Sequence, residues 1–543
     1  MMDQRLLEKA DYLLSQETGT VYKDPGGKIT IALVYPNTYA VGMSSLGFQG
    51  VYGLLNSMPD VVCERAFLPP ESDLDVHRRT NTDIFTLESK RPLSRFDIIA
   101  FSVSFENDYP NILRILSLAK VPIKSSDRTA RHPLVIAGGV CCFYNPEPIA
   151  DFMDVCFVGE AEEMLPEFIA LCRHSGTRKE LYQEAMAIDG IYVPQYYEIV
   201  YDEHDHQIVE RKAHGPAPAV IKKRTARDIS CGLIKPLIIT PEAEFANMYL
   251  AEAMRGCPWS CRFCVAGHIY NPVRKKDLAE LRAEIAGALR VTKKVGLIGP
   301  SLSDYPHARD VLSIEGVDFS ITSLRASAQS GHIVALMTGH KSISIAPEAG
   351  TARLRKAINK KISEEDILET AGLILSSGIE TLRLYFMIGL PTETLQDIEG
   401  IIELVKKIRD RNKRGYITLS VSTFVPKPFT PFQWHAMEKM AVVKERQRII
   451  KKGLSQVKGV RVFHDVLKQA YIQGLFSVGD RRSAELIGRL AGFPPGFVTK
   501  KDFDYYLFRT KDFSGRLPWD FIDTGISTEK LWQEYQEALS VCL

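Results

Sequence analysis

The sequence predicts an α/β protein of two successive units, an amino-terminal doubly wound parallel sheet followed by a partial βα barrel. Three observations lead there. The chain has 543 residues, more than one hydrophobic core organises, since single cores stop growing near ~250–300 residues. From about residue 25 to residue 172, short apolar runs alternate with helical patterns, the mark of a parallel sheet with crossover helices. The same alternation returns between about residues 246 and 470.

Taken in order, residues 1–172 open with a lead helix and a turn at Asp24-Pro-Gly-Gly27. Strands follow at Ile29–Tyr35, Val61–Phe67, Asp97–Val103, Leu134–Ala137 and Val155–Val158, with helices at Gly47–Asn56, Tyr109–Ala119 and Glu162–Cys172. Residues 173–245 break the rhythm. Ile191–Val200 and Gln207–Lys212 read as a hairpin around Asp202-Glu-His-Asp-His206, where His204 and His206 belong to a polar turn rather than a metal site. Pro216 and Pro218 mark a linker. In residues 246–470 the expected strands are Met248–Met254, Val295–Ile298, Asp318–Ser323, Ser342–Ala346, Thr381–Met387 and Ile417–Thr423. Helices are expected at Asp277–Leu289, Glu364–Ser377 and Thr394–Arg411. Residues 471–543, rich in Gly, Pro and aromatics, form an accessory segment.

The chemistry concentrates on Arg255-Gly-Cys-Pro-Trp-Ser-Cys-Arg-Phe-Cys-Val-Ala-Gly267, which places Cys257, Cys261 and Cys264 on one short loop. A structural zinc site closes with four ligands, usually as two pairs, and no second Cys pair or His-x-x-x-His follows nearby. Three thiolates instead suit a cubane cluster with one iron left open. The loop lies at the carboxyl end of a first βα unit, where βα-barrel enzymes place their reacting groups.

This C-x3-C-x2-C run resembles the radical S-adenosylmethionine (SAM) superfamily. The resemblance implies a 4Fe-4S cluster on Cys257, Cys261 and Cys264, SAM chelated at the open iron, and cleavage of SAM to a 5′-deoxyadenosyl radical. It also implies SAM contacts at the later strand ends. Gly299, Pro300 and Ser301 stand where the superfamily has a segment that meets the SAM amino group. Glu348, in Ala346-Pro-Glu-Ala-Gly350, is expected at the ribose or amino group, and Arg325 or Arg353 at the carboxylate. Gly389 lies in Met387-Ile-Gly-Leu-Pro-Thr-Glu393, which resembles a segment near adenine, with Thr392 where Gly is usual. Phe263 stands where the family sets an aromatic residue against adenine.

Strand ends of the first unit carry Tyr35-Pro-Asn-Thr-Tyr-Ala-Val-Gly-Met43, Ser102-Val-Ser104, Gly138-Gly139 and Val158-Gly-Glu160. Functional sites of open α/β sheets lie at such ends. The set resembles the cobalamin-binding domain of one radical SAM class, implying contacts from Asn37, Tyr39, Gly42, Ser102, Ser104, Gly138, Gly139 and Gly159. The Asp-x-His-x-x-Gly signature of that module departs here to Asn37-Thr-Tyr39-Ala-Val-Gly42, so the His ligand to cobalt is missing and Tyr39 or water is expected below the metal. The class implies radical methylation of an unactivated carbon and a reducing donor such as flavodoxin or ferredoxin. A methylthiotransferase acting on tRNA or protein, a cobalamin-assisted cyclase and an iron–sulfur sensor or scaffold are the alternatives. The methylthiotransferase needs an amino-terminal cysteine triad, which Cys63, adjacent Cys141-Cys142 and Cys156 match poorly.

Sixty-eight basic against 66 acidic residues give a net charge of +2, so no global footprint for nucleic acid is visible. No apolar run approaches the ~20 residues that span a bilayer, and the charged start lacks a signal-peptide pattern, so a cytoplasmic location is expected. Tyr305, His307, His268 and His464 are polar groups expected near the barrel mouth, and none marks a substrate.

Overall fold

A computed structural model describes residues 3–202, 207–229, 234–321, 323–327, 330–337, 340–493 and 500–541. His204 and His206 lie outside the described residues. The chain forms two compact units. The first comprises residues 1–250, 479–502 and 514–525; the second comprises 251–478, 503–513 and 526–543. This division differs from the four successive segments expected. Residues 173–245 join the first unit and the tail is shared by both.

The first unit holds a sheet of order β2-β1-β3-β4-β5-β6. Its strands are β1 (Ile29–Tyr35), β2 (Val61–Phe67), β3 (Ile98–Ser102), β4 (Leu134–Gly138), β5 (Val155–Phe157) and β6 (Ile191–Tyr192). The first five are parallel; β6 runs antiparallel to β5. β2 is buried along its whole length and β1 nearly so, as expected of strands covered on both faces. The strand expected at Ile191–Val200 divides at Pro194, which lacks an N–H for a ladder. The chain then forms the hairpin β7 (Tyr197–Tyr201) and β8 (Ile208–Ala213). The short β9 (Ile221–Lys222) pairs with tail residues Ile522–Asp523.

A charge cluster centred on Arg65 is buried in this unit. Arg65, on β2, lies 2.7 Å from both Glu17 and Glu88, with all three side chains at most 2% exposed. Two carboxylates around one guanidinium satisfy the donors that burial would otherwise leave unpaired.

The second unit contains β10 (Met248–Glu252), where the chain enters it, the small antiparallel pair β11 (Met254–Arg255) and β12 (Arg274–Lys275), β13 (Lys294–Ile298) and β14 (Asp318–Ser320). Strands β15 (Ser342–Glu348), β16 (Thr381–Ile388), β17 (Tyr416–Thr423) and β18 (Val460–His464) follow. They form the sheets β10-β13-β14 and β15-β16-β17-β18, bridged by a parallel contact between Leu324 and Ile345. β18 was not among the expected strands. Its edge position leaves every residue at least partly exposed, so it lacks an apolar run. On β16 and β17, Leu382, Leu384, Phe386, Ile417, Leu419 and Val421 are at most 2% exposed, as are Ile398, Ile401 and Val405 of helix Leu395–Arg411. Period-two burial marks a sheet with one covered face. Among the described residues no helix is long and apolar enough to cross a membrane.

Candidate cluster and cofactor site

Two glycines let the cysteine loop coil. Gly256 has φ +83°, and a Cβ there would lie 2.4 Å from the Tyr270 carbonyl oxygen; a Cβ on Gly267 would lie 2.0 Å from that of Trp259. The Cys257 amide donates to Ala266 and the Cys264 amide to Cys261, at 3.2 and 3.1 Å. Burial raises the pKa of all three thiols, that of Cys264 to about 11. Lys360 and Arg325 oppose the rise at Cys261. Cys261 is buried and the other two thiols are half-buried, and the cations beside Cys261 favour its thiolate once iron is present. Among the described residues no three His, Cys, Asp or Glu side chains converge tightly enough for a single ion. A cubane takes each thiolate on a different iron, so the residues present fit it.

The loop carries further anchors that the sequence reading missed. Arg262 stands between two of the cysteines and is 6% exposed. Its guanidinium donates to Glu534 at 2.8 Å, Glu537 at 2.9 Å and the Ala357 carbonyl at 3.0 Å. Its backbone N–H donates to Ile358, and its carbonyl accepts from Phe432. The buried His268 ring lies 3.3 Å from the Cys261 carbonyl. Trp259 donates to Asp304 at 2.6 Å, as does Ser301, at 2.6 Å. Nothing in the sequence pairs Arg262 with a helix some 270 residues away, whereas Trp259 could have been noticed by its place in the loop.

Of the expected SAM contacts, some converge near the cysteines. The Arg325 guanidinium stacks 3.6 Å from the Trp259 ring centroid and donates to the Lys361 carbonyl. Glu348 sits where β15 bulges, with φ +66°, a conformation that re-aims a side chain. Burial raises its pKa while Lys360, at 3.2 Å, lowers it. Phe263 is half-buried and Pro300 exposed. A Cβ on Gly299 would lie 2.6 Å from the Met254 side chain, so this glycine serves loop packing. Gly389 has φ +80°, and its N–H donates to Glu393 at 2.9 Å. Thr392, where Gly is usual, has φ +67°. Arg353 is engaged elsewhere: it pairs with Asp397 and donates to the Thr392 carbonyl. Of the two arginines weighed for the SAM carboxylate, Arg325 is therefore the one beside the cysteines.

In the first unit, Tyr39 donates to Glu17 at 2.6 Å and is 9% exposed, so its hydroxyl is committed to the Arg65 charge cluster. Asn37 donates to Asp108 at 2.8 Å. A Cβ on Gly42 would lie 2.5 Å from the Phe67 ring, one on Gly139 2.5 Å from the Val103 carbonyl, and one on Gly159 2.2 Å from that of Arg224. These three glycines serve close packing. Ser102 is half-buried, Ser104 exposed, and Gly138 would meet only Phe157, at 3.6 Å. Ser104, just past β3, is therefore exposed next to β1, where the direction of strand order reverses, while the end of β4 is tied to Val103 through Gly138 and Cys141. The polar groups without an assigned role are mostly structural. Tyr305 donates to the Lys276 carbonyl, His307 faces Asp310, and His464 shares a face with Val421, toward the helices.

Residues 47–194 match the family model of radical SAM proteins, N-terminal, and residues 252–405 that of the radical SAM superfamily. Over 491 residues the chain is 31% identical to uncharacterized protein MJ0966 of Methanocaldococcus jannaschii, covering 89% of this chain and 96% of that one. A tRNA-2-methylthio-N(6)-dimethylallyladenosine synthase of Sorangium cellulosum is 25% identical over 195 residues, 30% of this chain and 39% of that enzyme. Among solved structures, the cobalamin-dependent S-adenosylmethionine radical enzyme OxsB with aqua-cobalamin bound is 16% identical, with a TM-score of 0.48, covering 69% of this chain. The match spans about half of OxsB, 52% of its length. The chain belongs to the radical SAM superfamily, in the same family as MJ0966. It is a radical SAM enzyme.

Proposed function

We propose that this enzyme is a cobalamin-dependent methyltransferase acting on an unactivated carbon. The observation that carries the reading is that one chain holds both the coiled three-cysteine loop, with Arg325, Lys360 and Glu348 beside Cys261, and a separate parallel sheet with Ser104 exposed at the end of β3, next to the point where its strand order reverses. When bound, the cluster and SAM supply a 5′-deoxyadenosyl radical and cobalamin supplies a methyl group. In this reading Arg325 binds the SAM carboxylate, and Glu348, paired with Lys360, binds a ribose hydroxyl or the amino group. Ser102, Ser104 and Gly138 would bear on the cobalamin. Tyr39 would not ligate cobalt, because its hydroxyl already donates to Glu17. A flavodoxin or ferredoxin is proposed as electron donor.

Anaerobic reconstitution with iron, sulfide and hydroxocobalamin tests the reading through bound iron, bound cobalt and 5′-deoxyadenosine formation. Near-stoichiometric cobalt, with SAM cleavage that disappears in Cys261→Ala, is expected. SAM cleavage without cobalt would withdraw the methylation reading. A methylthiotransferase is less well supported, because Cys63, Cys141, Cys142 and Cys156 are all buried to 0% exposure in the first unit's core.

A further inference from the structure

The uncovered face of the second unit's larger sheet carries side chains that neither the cluster nor SAM accounts for. Leu382, Leu384, Phe386, Ile417, Leu419 and Val421 are buried, so the alternate residues of β16 and β17 face away from them. Parallel register aligns these into layers. Ser344, Arg383, Thr418 and Arg461 form one layer, and Tyr385, Ser420 and Phe463 the next toward the carboxyl ends of the strands. In a closed βα barrel such positions are filled by interlocking branched aliphatics. Here Arg383 and Arg461 are exposed, and Tyr385 and Phe463 are 39% and 56% exposed.

Among the described residues, neither arginine has a hydrogen bond or ion pair. Their layer contains no carboxylate; its other members are Ser344 and Thr418. One intervening strand puts the two arginine Cα atoms roughly 10 Å apart, within which two long side chains can reach a common anion. Guanidinium is the side chain suited to carboxylate and phosphate, which it grips through two parallel N–H donors. The exposed aromatics, two residues further along, offer an apolar surface about 7 Å nearer the cluster end.

We propose that this face binds the substrate, and that the substrate is a small molecule with a carboxylate or phosphate at one end and an apolar or ring-bearing body. Arg383 and Arg461 hold the anion, and Tyr385 and Phe463 lie along the body. Gly389, at the SAM end of the same strand, is six residues beyond Arg383, about 20 Å at the rise of a strand. The reacting carbon therefore lies at the end of the substrate opposite its anionic group. The inference deepens the proposed function and rests on its placement of the reaction at the strand ends.

The test is calorimetric titration of the full-length reconstituted protein with phenyl phosphate, benzoate, inorganic phosphate and benzyl alcohol. Phenyl phosphate or benzoate should bind more tightly than inorganic phosphate, and benzyl alcohol should not register. Arg383→Gln and Arg461→Gln should each weaken binding about tenfold, the loss of one charge-assisted contact. Tyr385→Ala should narrow the difference between phenyl phosphate and phosphate. Both arginines are exposed, and thermal unfolding checks that each variant is folded. The preferred probe assigns the anion as phosphate or carboxylate. Absence of binding by the wild type, or equal affinity in the arginine variants, overturns the proposal. Binding of bulk tRNA with no response to either aryl anion overturns it in favour of nucleic acid. Cobalt content of the same preparation is scored separately: its absence removes the methylation reading, whereas failed anion binding with cobalt present removes only this proposal.

Discussion

Asp108 sits after β3 with its carboxylate 2.8 Å from the Asn37 amide, and burial pushes its pKa up from 3.8 to about 6. The folded state thus holds its proton more tightly than the unfolded chain does. The resulting stability is fully present below pH 3.8, is lost as pH rises through about 6, and is absent above that. Asp108→Asn removes the ionisable group, so the stability difference between wild type and variant should change by on the order of 2 kcal/mol across this window. Urea unfolding of both proteins at pH 4.5 and 7.5 measures it; a difference that stays constant with pH would sink the argument. Thr392 makes a different residue-scale case. A β-branched residue at φ +67° is strained, and its hydroxyl is buried without a partner. Thr392→Gly should relieve that strain and raise stability by about 1 kcal/mol, read as a higher urea midpoint. An unchanged or lower midpoint would count against it.

At the scale of elements, the cysteine loop depends on helix Thr528–Ser540, which supplies Glu534 and Glu537 to Arg262. The carboxylates are 29% and 52% exposed, so solvent screens the pairs and their contribution is modest. Arg262→Ala should loosen the loop by about 1–2 kcal/mol, giving a five- to thirtyfold loss of iron retention against a chelator. Glu537→Gln should cost much less, and equal iron retention in Arg262→Ala and wild type would show that the helix does not hold the loop. This dependence was not legible in the sequence, because an arginine between two cysteines does not announce a carboxylate far down the chain. Arg353 shows the same limit: its place at a helix start suggests a SAM contact, whereas its guanidinium pairs with Asp397. What could be read was local. Ile29–Tyr35 and Val61–Phe67 fold with the expected bounds because largely apolar, β-branched-rich segments suit strands buried on both faces, although Glu64 and Arg65 interrupt the second. The three cysteines were legible because spacing alone puts them on one loop. Gly159 was legible as special but for another reason, since it lets the Arg224 backbone approach rather than a cofactor.

Over the whole molecule, the two units are organised around different residues. The first folds on the Arg65 charge cluster and its parallel sheet, the second on the aliphatic faces of β16 and β17. None of the three cluster cysteines belongs to the first unit, and none of the strand-end residues Ser102, Ser104 and Gly138 belongs to the second. If the proposed cobalamin is held by those strand ends, its retention should not require iron. Cys261→Ala should lose the cluster, seen as loss of absorbance near the thiolate-to-iron bands and of bound iron, while cobalt stays within about twofold of wild type. Conversely, Ser104→Trp fills the open end of β3 with an indole and should lower bound cobalt at least tenfold while bound iron is unchanged. Metal analysis of both variants after identical reconstitution decides the matter. If cobalt falls together with iron in Cys261→Ala, cobalamin depends on the cluster unit, and the assignment of Ser102, Ser104 and Gly138 as its contacts is wrong.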